Sequence, residues 1–151
     1  MLEKITKLLG EEVITQVQEV FNGLDEPVGM LFFGQKDDCE YCDDTLQLVQ
    51  ELVDLSNLLS LTIYDLDDDA AIAKKYHVDK APGLVLAAVE DGEIVDYGIR
   101  FAGIPSGHEF SSLVHDLTLV SGRDSGLGEE TRHYLAGLTD PLFLQVYVTP
   151  T

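Results

Sequence analysis

The two cysteines of the chain, Cys39 and Cys42, stand in the run Cys39-Glu40-Tyr41-Cys42. A pair this close in sequence closes too small a loop to staple a fold, so we do not expect a structural disulfide framework. A thiolate can attack a disulfide, and a second thiol nearby can then release the mixed disulfide that forms. The spacing therefore predicts thiol–disulfide chemistry at this pair.

We predict that the cysteine pair lies where a polar loop leads into a helix. An almost wholly apolar run, residues 28–33, predicts a buried strand before the loop, and an apolar stripe at helical spacing begins at Cys42. The exposed N–H groups and the dipole of a helix N-terminus favour a thiolate. We therefore expect Cys39 to be the nucleophile and Cys42, covered by the stripe, to be the resolving thiol.

The charges around Cys39 act in opposite directions on its thiol. Lys36 would stabilise a thiolate, whereas Asp37, Asp38 and Glu40 would oppose it by repulsion. Thiols in this kind of motif have pKa values of roughly 3.5–7.5. With three acids within three residues, we expect the Cys39 pKa in the upper part of that range, which is typical of a moderately reducing dithiol.

A proline follows the motif by about forty residues, in Ala81-Pro82 at the start of a predicted strand. Proline cannot donate to a sheet ladder, but at a strand's start it can turn the backbone toward a site. A cis Ala81-Pro82 bond would let the Ala81 backbone pair with a bound peptide as an added strand. Tyr41 is either a substrate contact or a filler between the thiols.

The remaining elements predict an α/β fold. We expect a first amphipathic helix over about residues 1–20, a hairpin turn at Asp91-Gly92 and a capping box from Ser106 to Glu109 that starts a long helix. A strand–helix–strand crossover, a hairpin and a closing helix form a thioredoxin-like arrangement. It has a central mixed four-stranded sheet flanked by helices, an extra N-terminal helix and a C-terminal strand.

That last strand is predicted to begin a second unit. Residues 141–151 echo residues 27–36, the strand that leads to the cysteine pair, but no second pair follows them. We therefore divide the chain into a redox unit over residues 1–140 and the first strand of a truncated second unit over residues 141–151. The protein would then be a monomer, or the exposed strand would pair with the same strand of another copy in a strand-mediated dimer.

The net charge and the hydropathy of the chain exclude several classes of partner. Nine Lys+Arg against 28 Asp+Glu give a formal net charge of −19, which disfavours nucleic acid and anionic membranes. No apolar run is long enough to span a membrane, and the N-terminus lacks a signal-peptide core, so a cytoplasmic protein is the expectation. No phosphate-binding loop or metal-ligand spacing indicates a cofactor.

With these residues placed, the sequence resembles the protein disulfide oxidoreductases built from two tandem thioredoxin-like units, also called glutaredoxin-like proteins. The resemblance rests on Lys36 to Cys42, Val78 to Pro82, Phe101 to Phe110, and Val146 to Thr151. It implies that this chain corresponds to the N-terminal unit, with a redox-active dithiol at Cys39 and Cys42 and a substrate-facing cis proline at Pro82. It also implies protein disulfide substrates and an upstream electron donor of the thioredoxin reductase type.

Three alternatives remain open at the level of sequence. A zinc site would need four ligands, and the four histidines (His77, His108, His115 and His133) are scattered. A glutathione-dependent glutaredoxin could use Lys36 for a glutathione carboxylate, although the acidic surroundings disfavour an anionic tripeptide. A non-catalytic interaction module would carry the cysteines without using them.

Overall fold

The computed structural model describes residues 6–149, which form five helices and four strands. In chain order the elements are α1 (Glu11–Phe21), β1 (Val28–Gly34), α2 (Cys42–Val53), β2 (Leu59–Asp65), α3 (Ala70–Lys75), β3 (Gly83–Glu90), β4 (Glu93–Ala102), α4 (His108–Ser121) and α5 (Glu129–Ala136). The predicted order of strands and helices up to α4 is confirmed.

The four strands form one mixed sheet in the order β2-β1-β3-β4. β1 and β2 run parallel because α2 carries the chain back between them, whereas β3 is antiparallel to both of its neighbours. The predicted hairpin turn is confirmed, since Glu90 pairs with Glu93 and both Asp91 (φ 51°) and Gly92 (φ 80°) adopt the left-handed conformation. The sheet is the one predicted for a thioredoxin-like fold.

Both faces of the sheet are covered, which explains why β1 is buried at every position. One face packs with α1, α2 and α4 around the larger core, to which the strands contribute Val28, Met30, Phe32, Leu84 and Leu86. The other face packs with α3 in a smaller core of Leu31, Phe33, Ala73, Tyr76 and Val85. The longest helix of the described part, α4, has 14 residues, and within residues 6–149 no helix has the length and apolar character needed to cross a membrane.

The N-terminal helix begins later than predicted. Residues 6–10 are not helical, and Gly10 is the N-cap of α1. The cause is a tertiary contact, because the backbone N–H groups of Leu8 and Leu9 both donate to the Glu51 carboxylate of α2, at 2.9 Å each. This leaves the segment before Gly10 outside the helix, and residues 1–5 of the predicted helix lie outside the described residues.

The predicted capping box before α4 is wrong. The helix begins at His108 with Gly107 as its N-cap, and no side chain caps it. Gly107 has a φ of 60°, which favours glycine and places Ser106 one residue ahead of the cap position. Glu109 therefore falls in the first turn, where it still faces the positive end of the helix dipole.

The last described residues do not form the predicted strand. Residues 141–149 have no regular secondary structure, and the apolar side chains from Leu142 to Val148 are 59–85% exposed. A strand needs a neighbouring strand to satisfy its backbone, and within the described chain the sheet already ends at β2 and β4. The division of the chain at residue 140 stays a prediction, and residues 150 and 151 lie outside the described part.

Candidate active site

The cysteine pair lies between the end of β1 and the start of α2. Cys39 is half-buried in the loop, whereas Cys42 is the first residue of α2 and only 7% exposed. The two side chains are joined as a disulfide, with their Cα atoms 5.5 Å apart. Their unequal burial matches the predicted distinction between an accessible thiol and a protected one.

The start of α2 is held by backbone and side-chain bonds that the sequence pattern did not indicate. The carbonyl of Tyr41 accepts the Thr45 N–H at 3.0 Å and the Thr45 hydroxyl at 2.6 Å. Thr45 is fully buried, so this polar side chain is satisfied by the helix's own first turn. Tyr41, next to Cys42 in sequence, is 48% exposed, which leaves its ring on the surface.

The sheet register brings Ala81-Pro82 to the same end of the sheet as the cysteine loop. Phe33 of β1 pairs with Gly83 of β3, so the residue after Phe33 and the residue before Gly83 are neighbours across the two strands. The Ala81-Pro82 bond is cis, as predicted. Ala81 is half-buried and packs against the core that also receives Cys39, whereas Pro82 is buried.

Two glycines allow the backbone to approach closely here. A Cβ on Gly34 would lie 2.9 Å from the Phe32 ring and 3.9 Å from Cys42 Sγ. A Cβ on Gly83 would lie 2.8 Å from the Lys80 carbonyl oxygen. Real Cβ atoms do not come within 3.0 Å of such neighbours. A larger residue at either glycine would therefore displace the loops on either side of the site.

The Asp65 carboxylate helps to connect the cysteine loop to the loop between β2 and α3. Asp65, at the end of β2, accepts the N–H groups of Asp67 at 2.9 Å and Asp68 at 3.1 Å. It also accepts the backbone N–H of Lys36, and these bonds hold the pKa of Asp65 below its ordinary value, with the bond from Asp68 as the largest cause. Asp65 therefore fixes where the cysteine loop leaves the sheet.

Lys36, expected to stabilise a thiolate or hold a glutathione carboxylate, is engaged elsewhere. Its ammonium group pairs with the Asp68 carboxylate, and that hydrogen bond raises the pKa of Lys36. The carboxylates nearest the cysteines in sequence are exposed: Asp37, Asp38, Glu40, Asp43 and Asp44. The surface around Cys39 is therefore strongly acidic.

Replacing Asp65 by asparagine is expected to lower the urea midpoint of unfolding at neutral pH, because three N–H groups lose a charged acceptor. The folded pKa lies below the ordinary 3.8, so the charged form stabilises the fold above that value. This contribution disappears as the pH falls through the folded pKa. Urea titrations from pH 7 into acid should thus show the two proteins converging.

Asp37→Asn is the matched control for this prediction. Asp37 is exposed, lies in the cysteine loop and carries the same charge as Asp65, but the Asp65 hydrogen bonds do not include it. Its substitution should leave the urea midpoint nearly unchanged. Equal midpoints for the Asp65 and Asp37 variants would show that the two loops are held together by other contacts.

The described residues offer no preformed metal centre. Within residues 6–149, no group of three or more His, Cys, Asp or Glu side chains is arranged to hold a metal ion. The acidic side chains around Cys39 therefore form a charged surface and not a set of metal ligands.

Comparison with known proteins supports the sequence-based resemblance. No family model matches the chain. AhpF, a component of the alkyl hydroperoxide reductase of Pseudomonas aeruginosa, is 27% identical over 140 residues, which cover 93% of this chain and 24% of that protein. The chain thus spans about a quarter of the length of this curated relative.

Two solved structures share the fold over most of the chain. A protein disulfide oxidoreductase from Aeropyrum pernix superposes with a TM-score of 0.74 and 27% identity, covering 85% of this chain and 55% of that chain. A mutant of AhpF from Enterococcus faecalis gives a TM-score of 0.75 and 28% identity, covering 86% of this chain and 61% of that chain.

A thioredoxin-like sheet with a cysteine pair at the start of its first crossover helix defines the class of thiol–disulfide oxidoreductases. Within that class, this chain is similar to a protein disulfide oxidoreductase and to the thioredoxin-like part of the alkyl hydroperoxide reductase component AhpF. The predicted resemblance and fold class are confirmed.

Proposed function

We propose that this chain exchanges electrons with protein disulfides through Cys39 and Cys42, as the thioredoxin-like redox unit of a protein disulfide oxidoreductase. The observation that carries the proposal is the unequal exposure of the two sulfur-bearing residues at the start of α2. Cys39 is half-buried and reachable, whereas Cys42 is 7% exposed. An attacking thiol needs access, and a resolving thiol needs only to reach its partner.

The reaction balances as a two-electron exchange. In the reduced protein, the Cys39 thiolate attacks one sulfur of a substrate disulfide, which breaks that bond and releases a substrate thiolate that takes up a proton. Cys42 then loses its proton and attacks Cys39, which forms the Cys39–Cys42 disulfide and releases the second substrate thiol. The substrate disulfide is reduced to two thiols while the protein dithiol is oxidised.

The structure around the pair suggests how a substrate would be held. Ala81 presents its backbone beside the cysteine loop, and an extended substrate segment could pair with it as an added strand. Tyr41, next to Cys42 in sequence, exposes its ring and supplies apolar contact area. Pro82 is buried, so its contribution is to shape the backbone at this position.

The proposal also includes an electron donor, a compartment and a division of the chain into two units. A reductase-type electron donor, of the thioredoxin reductase kind, would return the disulfide to the dithiol in the cytoplasm. Residues 1–140 would form the redox unit, and residues 141–151 would begin a second unit that pairs with them or with another copy. These assignments rest on the similarity to longer relatives and on the exposed apolar side chains after residue 141.

Reduction of insulin disulfides with dithiothreitol as electron source tests the proposed function. The reduced chain should precipitate the insulin B chain faster than dithiothreitol alone, because the enzyme dithiol attacks faster than the free reagent. Replacing dithiothreitol by glutathione distinguishes a glutathione-dependent glutaredoxin, which would be equally active with either. A rate no faster than that of dithiothreitol alone would refute the proposal.

A further inference from the structure

The two edges of the sheet differ in how they are protected against pairing with another chain. Within residues 6–149 these edges are β4 and β2. β4 carries three charged side chains, and a register shift interrupts its pairing with β3. Charges and bulges of this kind keep an edge strand from accepting a further strand. β2 carries no proline, and its one charged residue, Asp65, is its last. The β2 edge therefore lacks these protections over residues 59–64.

The backbone groups of β2 alternate between β1 and the open edge. The carbonyl oxygen of Leu58 accepts the Val28 N–H at 2.8 Å. At the other end, the Leu66 N–H donates to the Gly34 carbonyl oxygen at 2.9 Å. Both bonds join β2 to β1, so the even-numbered residues between them also turn their backbone groups toward β1. The N–H and C=O groups of the odd-numbered residues therefore point away from the sheet.

The N–H groups at both ends of this outward row are already bonded. The Leu59 N–H donates to a carbonyl of the preceding turn at 3.2 Å. The Asp65 N–H donates to the Asp69 carboxylate at 2.9 Å, and the Asp69 N–H donates to the Asp65 carbonyl at 2.8 Å. Between them, the outward groups of Leu61 and Ile63 have no partner among residues 6–149. The edge thus presents two adjacent donor–acceptor sets.

We propose that this edge is an interface with a second copy of the chain, in which β2 pairs antiparallel with β2 about a twofold axis at Thr62. Leu61 then lies opposite Ile63 of the other copy, and each such pair exchanges two N–H···O bonds. This register uses every outward donor and acceptor of the two residues, whereas an axis at Leu61 or Ile63 would leave some unpaired. The proposal does not depend on the redox function.

The side chains on both faces of this edge suit pairing with a second copy. Leu61 packs against the larger core, and Ile63, which is 51% exposed, lies on the same face because side chains alternate along a strand. The two apolar side chains would therefore meet across the interface. On the opposite face Thr62 would lie opposite Thr62 of the other copy, and threonine pairs at such positions stabilise sheets.

The charge distribution also favours this edge. A chain with a net charge of −19 repels its own copy over most of its surface. In the proposed register Asp65 lies opposite Leu59, so no carboxylate of β2 faces another carboxylate of β2. Two copies can therefore approach along β2 without a direct contact between like charges.

A cysteine at position 62 tests the register. The Cβ atoms of such a non-hydrogen-bonded antiparallel pair are about 4.5–5.5 Å apart, which brings two cysteines within reach of a disulfide. Thr62→Cys, with Cys39 and Cys42 replaced by serine, should form a covalent dimer under mild oxidation. Ser60→Cys in the same background is the matched control. The register displaces its two copies by about 13 Å along the strands, so it should stay monomeric on non-reducing gels.

Sedimentation equilibrium of the unmodified chain tests the association itself. The average mass should rise from that of one copy toward that of two as protein concentration increases, and the rise should begin at lower concentration in high salt, which screens the repulsion. Ile63→Lys should raise the concentration for half-association by at least about tenfold, because an ammonium group would replace an apolar contact in both halves. Ile94→Lys is the matched control on the protected edge, where Ile94 is 37% exposed, and should not change it.

Three results would overturn the proposal. The first is the mass of a single copy at every protein concentration and salt concentration. The second is an association that Ile63→Lys leaves intact, or that the two lysine variants weaken equally, since another surface or the net charge would then control it. The third is a cross-link at position 60 in place of position 62, which would contradict the twofold axis at Thr62.

Discussion

Replacing Cys39 by serine is expected to reduce the rate of insulin disulfide reduction by at least about 10³-fold, because a serine hydroxyl cannot replace the attacking thiolate. Cys39 is the more exposed of the two cysteines, and within residues 6–149 no further cysteine could substitute for it. The measurement is the initial rate of insulin reduction at equal enzyme concentration, with the protein's fold checked by circular dichroism.

Cys42→Ser is the matched variant, and its behaviour should differ in kind. This variant retains the attacking thiol but lacks the thiol that releases the mixed disulfide. Incubation with a protein disulfide should therefore accumulate a covalent mixed disulfide at Cys39. Mass spectrometry without reductant would detect this adduct. If Cys39→Ser formed the adduct instead, the roles of the two cysteines would be exchanged. If both variants kept wild-type activity, the chain would be a non-catalytic module.

Replacing Phe33 by alanine is expected to lower the free energy of unfolding by about 3–5 kcal/mol, the usual cost of emptying a large aromatic site in a core. Phe33 is completely buried in β1 and stacks on Tyr64 with ring centroids 5.1 Å apart. It also contacts Tyr76, at 6.4 Å between centroids, just after α3. Urea unfolding followed by circular dichroism would measure the loss.

Phe143→Ala provides the comparison for the same substitution outside the core. Phe143 is 83% exposed in the segment after α5. Its substitution should change the free energy of unfolding by less than about 0.5 kcal/mol. A destabilisation similar to that of Phe33→Ala would mean that residues 141–149 pack against this unit in solution, which would contradict the division of the chain at residue 140.

The elements that the sequence predicted well are those governed by local chemistry. Apolar runs predicted β1 and β3, since strands buried on both faces need no polar positions. Asp91-Gly92 predicted the hairpin because both residues tolerate the left-handed conformation that the turn requires. The cysteine spacing predicted the candidate site, because few chemistries use two thiols one helical turn apart.

The features that the sequence did not reveal depend on contacts distant in sequence. The Glu51 carboxylate captures the N–H groups of Leu8 and Leu9 from more than forty residues away, so the first helix begins only after Gly10. Asp65 looked like one of several acids, and its bond to the cysteine loop exists only because β1 and β2 are neighbours.

The central claim is that Cys39 attacks while Cys42 resolves, and alkylation of the reduced protein tests it most directly. The rate of iodoacetamide modification at each cysteine would be followed against pH and assigned by mass spectrometry. We predict fast reaction at Cys39 with a pKa below the value of about 8.5 for a free thiol, and protection of Cys42. Slow and equal reaction of both thiols, or reaction only after a chelator is added, would contradict the proposed mechanism.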